Sequence, residues 1–331
     1  MPTALCLYSG GLDSRLVIKI MKNCGLRVVA FHAIHAFVGH DSPAAVRARV
    51  ERECRALGAD DVRFAHTTAT LVGLLRKNRF GFGKNLNPCI DCRIANLLAA
   101  ARFMEETGAD FLATGEVLGQ RPKSQKLFGM NAVAGALPPH LRGRLVRPLS
   151  AKLLPPTIPE QEGILDREKL YDISGRGRGR QMELAAQFGI GDYPSPAGGC
   201  LLTDAGFSGR MRELLARQAE ISEDDIALRK VGRHQYAASG ALLVSARDSD
   251  EGDALEALAR PDDVTFITVP KNGAMVLLRG PATPADEELA ISAAVHYSKY
   301  RGAAEAQVER RHQGETQRLT VSPKPYHGAG E

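Results

Sequence analysis

Six consecutive residues near the start of the chain, Ser9-Gly10-Gly11-Leu12-Asp13-Ser14, bring together the groups needed to hold an anion. Two adjacent glycines let the backbone approach a ligand closely and adopt conformations closed to residues with a Cβ. The string separates a short apolar run at 3–8 from a segment with helical spacing at 16–21. Its amides, with the N-terminus of the helix that begins near Ser14, are expected to form an anion nest with a favourable dipole. Ser9 and Ser14 add hydroxyl donors. Asp13 runs against the pattern, because a carboxylate repels phosphate; it fits if it holds a divalent cation or caps the helix. A capped helix after a tight turn is the plain structural alternative.

The second group is a set of thiols. Of six cysteines, Cys6, Cys24 and Cys54 fall within apolar or helical pattern and read as buried and inert. Cys89 and Cys92 stand in Asn87-Pro88-Cys89-Ile90-Asp91-Cys92, and Cys200 ends Pro196-Ala197-Gly198-Gly199-Cys200. Two thiols separated by two residues can share a metal or a cluster, or exchange as a disulfide. No second Cys-x-x-Cys and no Cys/His pair completes a zinc tetrahedron by familiar spacing. Residues 1–8 carry no basic leader and no small-residue cleavage site, so they are read as a strand and a cytoplasmic, reducing compartment is expected. There, metal or redox chemistry is favoured over a disulfide framework.

The Ser-Gly-Gly-Leu-Asp-Ser string resembles the PP-loop of the ATP pyrophosphatase family; it lacks the Gly-Lys-Ser/Thr ending of a Walker loop. The resemblance implies an open parallel-sheet α/β domain of the adenine nucleotide alpha-hydrolase-like (HUP) type. It also implies cleavage of ATP between its α and β phosphates, with a substrate oxygen activated as an adenylate. Ser9, Gly10, Gly11, Leu12, Asp13 and Ser14 would hold pyrophosphate, with Mg²⁺ on Asp13, and the end of the second strand, Ala30-Phe31-His32, would pack on adenine. Asn87-Pro88-Cys89-Ile90-Asp91-Cys92 with a downstream cysteine is similar to the tRNA 2-thiouridylases, and also to 4-thiouridine synthases and archaeal-type tRNA thiolases. Ala113-Thr114-Gly115-Glu116 and Arg147-Pro148-Leu149-Ser150 extend the likeness to thiouridine synthase-like PP-loop proteins. The 2-thiouridylases usually have His where Glu116 stands and Asn where Arg93 stands. Two chemistries fit three thiols. Cys89, Cys92 and Cys200 would each ligate one iron of a 4Fe–4S cluster whose fourth iron is open to hydrosulfide; or Cys200 would carry a persulfide that Cys92 resolves as a disulfide. Asp13, Cys92 and Cys200 are thus the expected catalytic residues.

The elements that must position these groups follow from periodicity. β-Branched or apolar runs at 3–8, 26–31, 61–66 and 111–114 alternate with helical segments at 16–21, 44–57, 70–78 and 94–107. That alternation argues for an open α/β sheet with right-handed crossovers. Thr114 and Gly115, at a strand end, fall where such sheets place ligands and are assigned to the nucleotide. The stretch 137–159, rich in Pro, Arg and Leu, reads as an irregular connector, and 166–188 as a helix interrupted by Gly175-Arg176-Gly177-Arg178-Gly179-Arg180. After Ser222-Glu223-Asp224-Asp225 the chain turns β-rich, with strands near 241–246, 264–269 and 274–278, a helix at 285–298 and a basic tail. Three parts are therefore expected: a PP-loop domain at 1–136, a smaller basic lobe at 137–221 carrying Cys200, and a C-terminal module at 222–331.

Composition narrows the partner. With 44% hydrophobic and 24% charged residues the chain can build a core, so wholesale disorder is excluded. No apolar run is long enough to span a bilayer, so no membrane partner is expected. The net charge is +5, but between Leu118 and Leu184 twelve Lys/Arg face six Asp/Glu, a local excess above that of the whole chain. A polyanionic partner and a solvated face both account for this. Arg121, Lys123, Arg176, Arg178 and Arg180 are the candidate RNA contacts there. Val231-Gly232-Arg233, residues 270–279 and Ala293-Ala294-Val295-His296-Tyr297-Ser298-Lys299 are similar to the RNA-binding domain of the NFACT proteins. That likeness implies backbone-phosphate contacts from Arg233, Lys299, Arg301, Arg310 and Arg311. The combined expectation is an ATP-dependent tRNA sulfurtransferase making thiouridine, supplied by a protein persulfide or inorganic sulfide. A PP-loop sulfur transferase or ligase acting on a small molecule, and a non-catalytic RNA-binding protein, are the alternatives.

Overall fold

The computed structural model describes the chain except for residues 40, 192, 195–198, 271–272, 323 and 329–331. It divides into two compact units, Met1–Ser208 and Gly209–Glu331. Of the lobe expected at 137–221, residues 137–208 fall within the first unit and the rest within the second.

The first unit is built on five parallel strands: β1 (Thr3–Leu7), β2 (Arg27–Ile34), β3 (Asp61–His66), β4 (Phe111–Thr114) and β5 (Leu145–Val146). Helices α1 (Leu12–Asn23), α2 (Pro43–Ala56), α3 (Thr68–Arg76), α4 (Cys89–Thr107) and α5 (Leu127–Gly135) lie between them. The strand order is β3-β2-β1-β4-β5, the doubly wound arrangement of the expected fold class. The chain leaves β1 toward β2 on one side and returns to β4 on the other, so the topological switch lies at the carboxyl ends of β1 and β4. Open parallel sheets hold ligands at that crevice.

Strand residues point alternately to the two faces. Ala4, Cys6, Val28, Ala30, Phe111 and Ala113 enter one core with α1 and α2. Leu5, Val29, Phe31 and Leu112 enter the other with α4. Both faces being covered, the strands are continuous apolar runs. Three expectations change. The Cys-x-x-Cys segment is not a loop ahead of a helix starting at Ile94, because Pro88 is the N-cap and Cys89 already lies in the first turn of α4. The irregular 137–159 stretch supplies β5, which pairs with β4. Between 166 and 188 only a single 3₁₀ turn and α7 form: after the four-residue α6 (Ile158–Gln161), α7 (Gly179–Gln187) begins inside the Gly/Arg alternation. Gly175 and Gly177 disfavour any earlier start.

Helix α8 (Ala205–Arg217) carries the division between the units, and α9 (Glu223–Leu228) follows it with a Ser222/Asp225 capping box. The second unit then forms a six-stranded antiparallel sheet from β6 (Arg233–Tyr236), β7 (Leu242–Ser245), β8 (Val264–Val269), β9 (Val276–Arg279), β10 (Ala306–His312) and β11 (Glu315–Val321). Its order is β11-β10-β8-β9-β7-β6. Helix α10 (Ser249–Leu258) packs Leu255 with Leu242, Val244 and Leu277 on one face. Helix α11 (Pro284–His296) packs on the other face with Leu243, Val276 and Leu278. The expected basic tail is instead a hairpin: β10 and β11 pair through a two-residue turn at Gln313-Gly314, both at positive φ. Such turns match the twist of the flanking strands. Among the described residues no helix is long and apolar enough to cross a membrane.

Candidate active site

The geometry of the turn after β1 is one that could hold an anion. Gly10 has φ +83°, and Gly11 is the N-cap of α1 with no side-chain cap. The Ser14 amide donates to the Gly11 carbonyl at 3.1 Å, which leaves the Leu12 and Asp13 amides as those that could meet an incoming anion. Ser14 braces the turn from inside: its Oγ donates to the Gly11 carbonyl at 2.8 Å and accepts from Ser9 N at 3.2 Å. Arg15, not singled out in the sequence, donates to the Gly10 carbonyl at 3.0 Å and pairs with Glu53 at 3.1 Å. The Leu12 side chain is core, so only its backbone faces the cradle. Gly115 at the end of β4 closes the back: a Cβ there would lie 2.7 Å from the Asp13 carbonyl carbon and 2.9 Å from Ser14 N. Thr114, beside it, is buried and donates to Glu116 at 3.4 Å.

Asp13 has acquired partners from distant segments. Its Oδ2 accepts from Gln120 Nε2 at 3.0 Å and its Oδ1 lies 3.4 Å from the Arg178 guanidinium. Gln181, fully buried, donates to Gln120 Oε1 at 3.4 Å and backs this arrangement. Burial raises the Asp13 pKa above the ordinary carboxylate value, against the pull of Arg178, Gln120 and Arg121. Arg178, read from sequence as an RNA contact, is thus a partner of the cradle's one carboxylate.

The segments that carry the three singled-out thiols are tied together. Cys89 and Cys92 are three apart in the first turns of α4, hence on one helix face. Asn87 Nδ2 donates to Cys89 Sγ at 3.1 Å. Cys200 arrives through an antiparallel bridge to Val38 and through bonds that tie the following turn to the segment before Pro88. Those bonds run from Leu86 N to the Leu202 carbonyl at 3.2 Å and from Asn85 Nδ2 to the Thr203 carbonyl at 2.6 Å. Burial pushes the Cys92 thiol up to about 12, and the neighbouring Cys200 and Cys89 add to the rise. Burial raises Cys200 as well, while the Leu202 amide and the charge of Arg121 act in the opposite direction. Pro196, Ala197 and Gly198 of the string before Cys200 lie outside the described residues. Cys6 and Cys54 are fully buried, with Cys54 raised by burial to about 12, in keeping with an inert role.

Around these groups stands a frame whose energetics sequence reasoning missed. Glu116 is buried between Arg93, at 2.6 Å, and Arg147, at 2.8 Å. Burial alone would raise its pKa, but the two guanidinium groups outweigh that and hold it below the usual value. Arg147 also donates to the Met130 carbonyl. Ser150 Oγ accepts from Leu118 N at 3.0 Å and donates to the Ile173 carbonyl at 2.6 Å. The Arg-Pro-Leu-Ser segment therefore pins the loop after β4. Phe31 is a correction: it is 1% exposed and packs against Phe103 in the core, so its ring is not available to an adenine. Pairing in register puts its side chain on the α4 face of the sheet.

No curated protein matches the sequence. Residues 232–328 match the family model of the NFACT protein RNA binding domain. Among solved structures the chain is similar to a 4-thiouridine synthetase in complex with RNA and ATP, at 19% identity and TM-score 0.42 over 69% of this chain and 52% of that one. It is similar to the U34-tRNA thiolase NcsA from Methanococcus maripaludis with its 4Fe–4S cluster, at 16% identity and TM-score 0.34 over 69% and 70%. It is also similar to NMN synthetase from Francisella tularensis, at 11% identity and TM-score 0.34 over 69% and 83%. The chain spans about half the length of the 4-thiouridine synthetase chain.

The expected RNA contacts have diverse surroundings. Lys123 donates to the carbonyls of Gly81 and Phe82, and Arg180 pairs with Glu183. Arg121 and Arg176 are exposed. In the matched stretch, Arg233 lies over the Tyr297 ring at 4.6 Å and Lys299 over Tyr300 at 5.5 Å. Arg310 makes two 2.7 Å bonds to Glu287, and Arg311 pairs with Glu309 and Glu256.

Proposed function

We propose that the protein is an ATP-dependent tRNA sulfurtransferase that converts a uridine to a thiouridine. The observation that supports this reading is that the turn after Cys200 is hydrogen-bonded to the segment just before Cys89, in the same unit as the Ser9–Ser14 turn. A uridine carbonyl oxygen is a poor leaving group. In the first step it attacks the α-phosphorus of ATP; the P–O bond to the β-phosphate breaks and pyrophosphate departs. The Leu12 and Asp13 amides at the start of α1 receive the charge that gathers on the departing diphosphate. In the second step inorganic sulfide forms a bond to the activated carbon and AMP leaves. Where a persulfide on Cys200 is the donor, its outer sulfur forms that bond as AMP leaves. The Cys92 thiolate then attacks the Cys200 sulfur, breaking the S–S bond, releasing the thiouridine and leaving a Cys92–Cys200 disulfide. Asp13 is the carboxylate suited to hold Mg²⁺, and taking up the cation means exchanging Arg178 for it.

The thiols also fit an iron–sulfur cluster. Among the described residues no group of three His, Cys, Asp or Glu side chains is arranged around a single metal ion. In a cluster each iron takes its own thiolate, so the three thiols need not surround one ion. When bound, such a cluster supplies an iron without a protein ligand at which sulfide can be held. Cys89, Cys92 and Cys200 are the residues that would hold it, and the Asn87 side chain orients the first of them.

Anaerobic reconstitution followed by iron and acid-labile sulfide analysis tests the cluster. Iron near four per chain, lost in Cys92→Ser and retained in Cys54→Ser, is expected. A colourless, iron-free protein overturns the cluster and moves the sulfur to a Cys200 persulfide. Mass spectrometry of tRNA nucleosides with and without the gene tests the activity; an unchanged thionucleoside profile overturns it.

A further inference from the structure

We propose that the C-terminal unit grips RNA in a pocket at the start of β6, where Arg233, Arg210 and Arg247 surround Tyr297 and Tyr326, and not along the arginines of the β10–β11 hairpin. This rests on the reading that the protein acts on RNA, and it names the residues of the second unit that do the binding.

The pocket has a volume of about 260 Å³. Three guanidinium groups line it and no carboxylate does. Each arginine is set in place by the backbone. Arg210 Nε donates to the Arg229 carbonyl at 2.7 Å, Arg233 to the Ala246 carbonyl at 3.4 Å, and Arg247 to the Gly232 carbonyl at 3.1 Å. Arg247 also pairs with Glu251, whereas Arg233 has no acidic partner among the described residues. Gly232 makes the approach of these strands feasible: it has φ +73°, and a Cβ there would meet Val244 Cγ1 at 2.6 Å and the Ser245 carbonyl oxygen at 2.9 Å.

The aromatic wall is equally fixed. Tyr326 donates from its hydroxyl to Gln235 Oε1 at 2.7 Å and stands edge-on to Tyr297 with centroids 5.7 Å apart. His296 packs edge-on against both tyrosines. A planar guanidinium over a tyrosine ring is a ready-made platform for an unstacked base, and neighbouring arginine forks match a phosphodiester. The hairpin lacks this character. Arg310 is satisfied by Glu287 through both bonds of its fork, and Arg311 stands between Glu309 and Glu256, so the local charge is cancelled before RNA arrives.

The test is fluorescence anisotropy of the full chain with a labelled, unmodified tRNA transcript across a salt series. Arg233→Ala and Tyr297→Leu are each expected to weaken binding about tenfold or more. Arg233→Ala also lowers the salt slope by about one, whereas Arg233→Lys keeps the slope but loses affinity. Arg311→Ala stays within about twofold of the wild type. Thermal melts confirm that each variant is folded. Wild-type binding that Arg233→Ala and Tyr297→Leu leave unmoved overturns the pocket alone. Absence of RNA binding by the wild type overturns the pocket and the RNA reading together.

Discussion

Replacing Gly115 with alanine puts one methyl group against the backbone of the turn after β1, at Asp13 and Ser14. Gly115 is not in the left-handed region, so only space is at issue. The added Cβ would sit 2.7 Å from the Asp13 carbonyl carbon, about 0.7 Å inside the 3.4 Å at which ordinary contact begins. The obstructing atoms belong to a peptide group, and Ser14 and Arg15 brace that turn, so no side chain can swing away. The cradle must move by several tenths of an ångström relative to β4. Overpacking of this kind costs about 1–3 kcal/mol of stability. A misplacement approaching 1 Å costs about a hundredfold in rate when catalysis depends on positioning. Gly115→Ala is therefore expected to remain folded while kcat/KM for AMP and pyrophosphate release falls about 10- to 100-fold. The assay is RNA-dependent pyrophosphate release, with ATP affinity by calorimetry and a thermal melt on the same sample. A variant that melts a few degrees lower yet binds and cleaves ATP with wild-type constants would refute the assignment of this turn to the pyrophosphate.

Two further outcomes follow from the same side chains. Asp13→Ala is expected to abolish AMP and pyrophosphate release while sparing RNA binding; normal thiolation by this variant sinks the adenylation role. Glu116→Gln leaves two guanidinium groups facing an uncharged amide, and breaking a buried ion pair costs about 3–5 kcal/mol, or roughly 6–20 °C in Tm for a unit of this size. The wild type holds Glu116 below its ordinary value of 4.5, so this stability is complete above that pH and is lost as pH falls through the depressed folded value. Glu116→Gln should be less stable at neutral pH and show a shallower acid loss; melts from pH 7 to 3 that superimpose for the two proteins contradict the triad.

Much of the first unit was legible because its signals are local. Apolar runs of strand length separated by helical spacing identify a doubly wound sheet without knowledge of any contact. The glycines before α1 announce a close backbone approach in the same way. The basic tail was misread because strand alternation there is masked: Val308 is buried, but Arg310 and Arg311 are followed by a turn with no Asn-Gly signature. Phe31 was misassigned for a related reason, since the face a strand residue takes is set by register and not by its nearness to a strand end.

Residue type and spacing alone determined that the chain carries a double-glycine turn after its first strand, two thiols three positions apart, and an α/β sheet to support them. These depend on dihedral preferences and periodicity over a few residues, which any short segment expresses by itself. Only the tertiary structure decided that the turn after Cys200 is bonded to the segment before Cys89, that Arg178 closes on Asp13 across 165 positions, and that Glu116 is held between Arg93 and Arg147. Charges and thiols carry no periodic mark of their partners. Their pairing is settled when strand order brings distant loops to one edge of the sheet, where burial makes an unmatched charge too costly to keep.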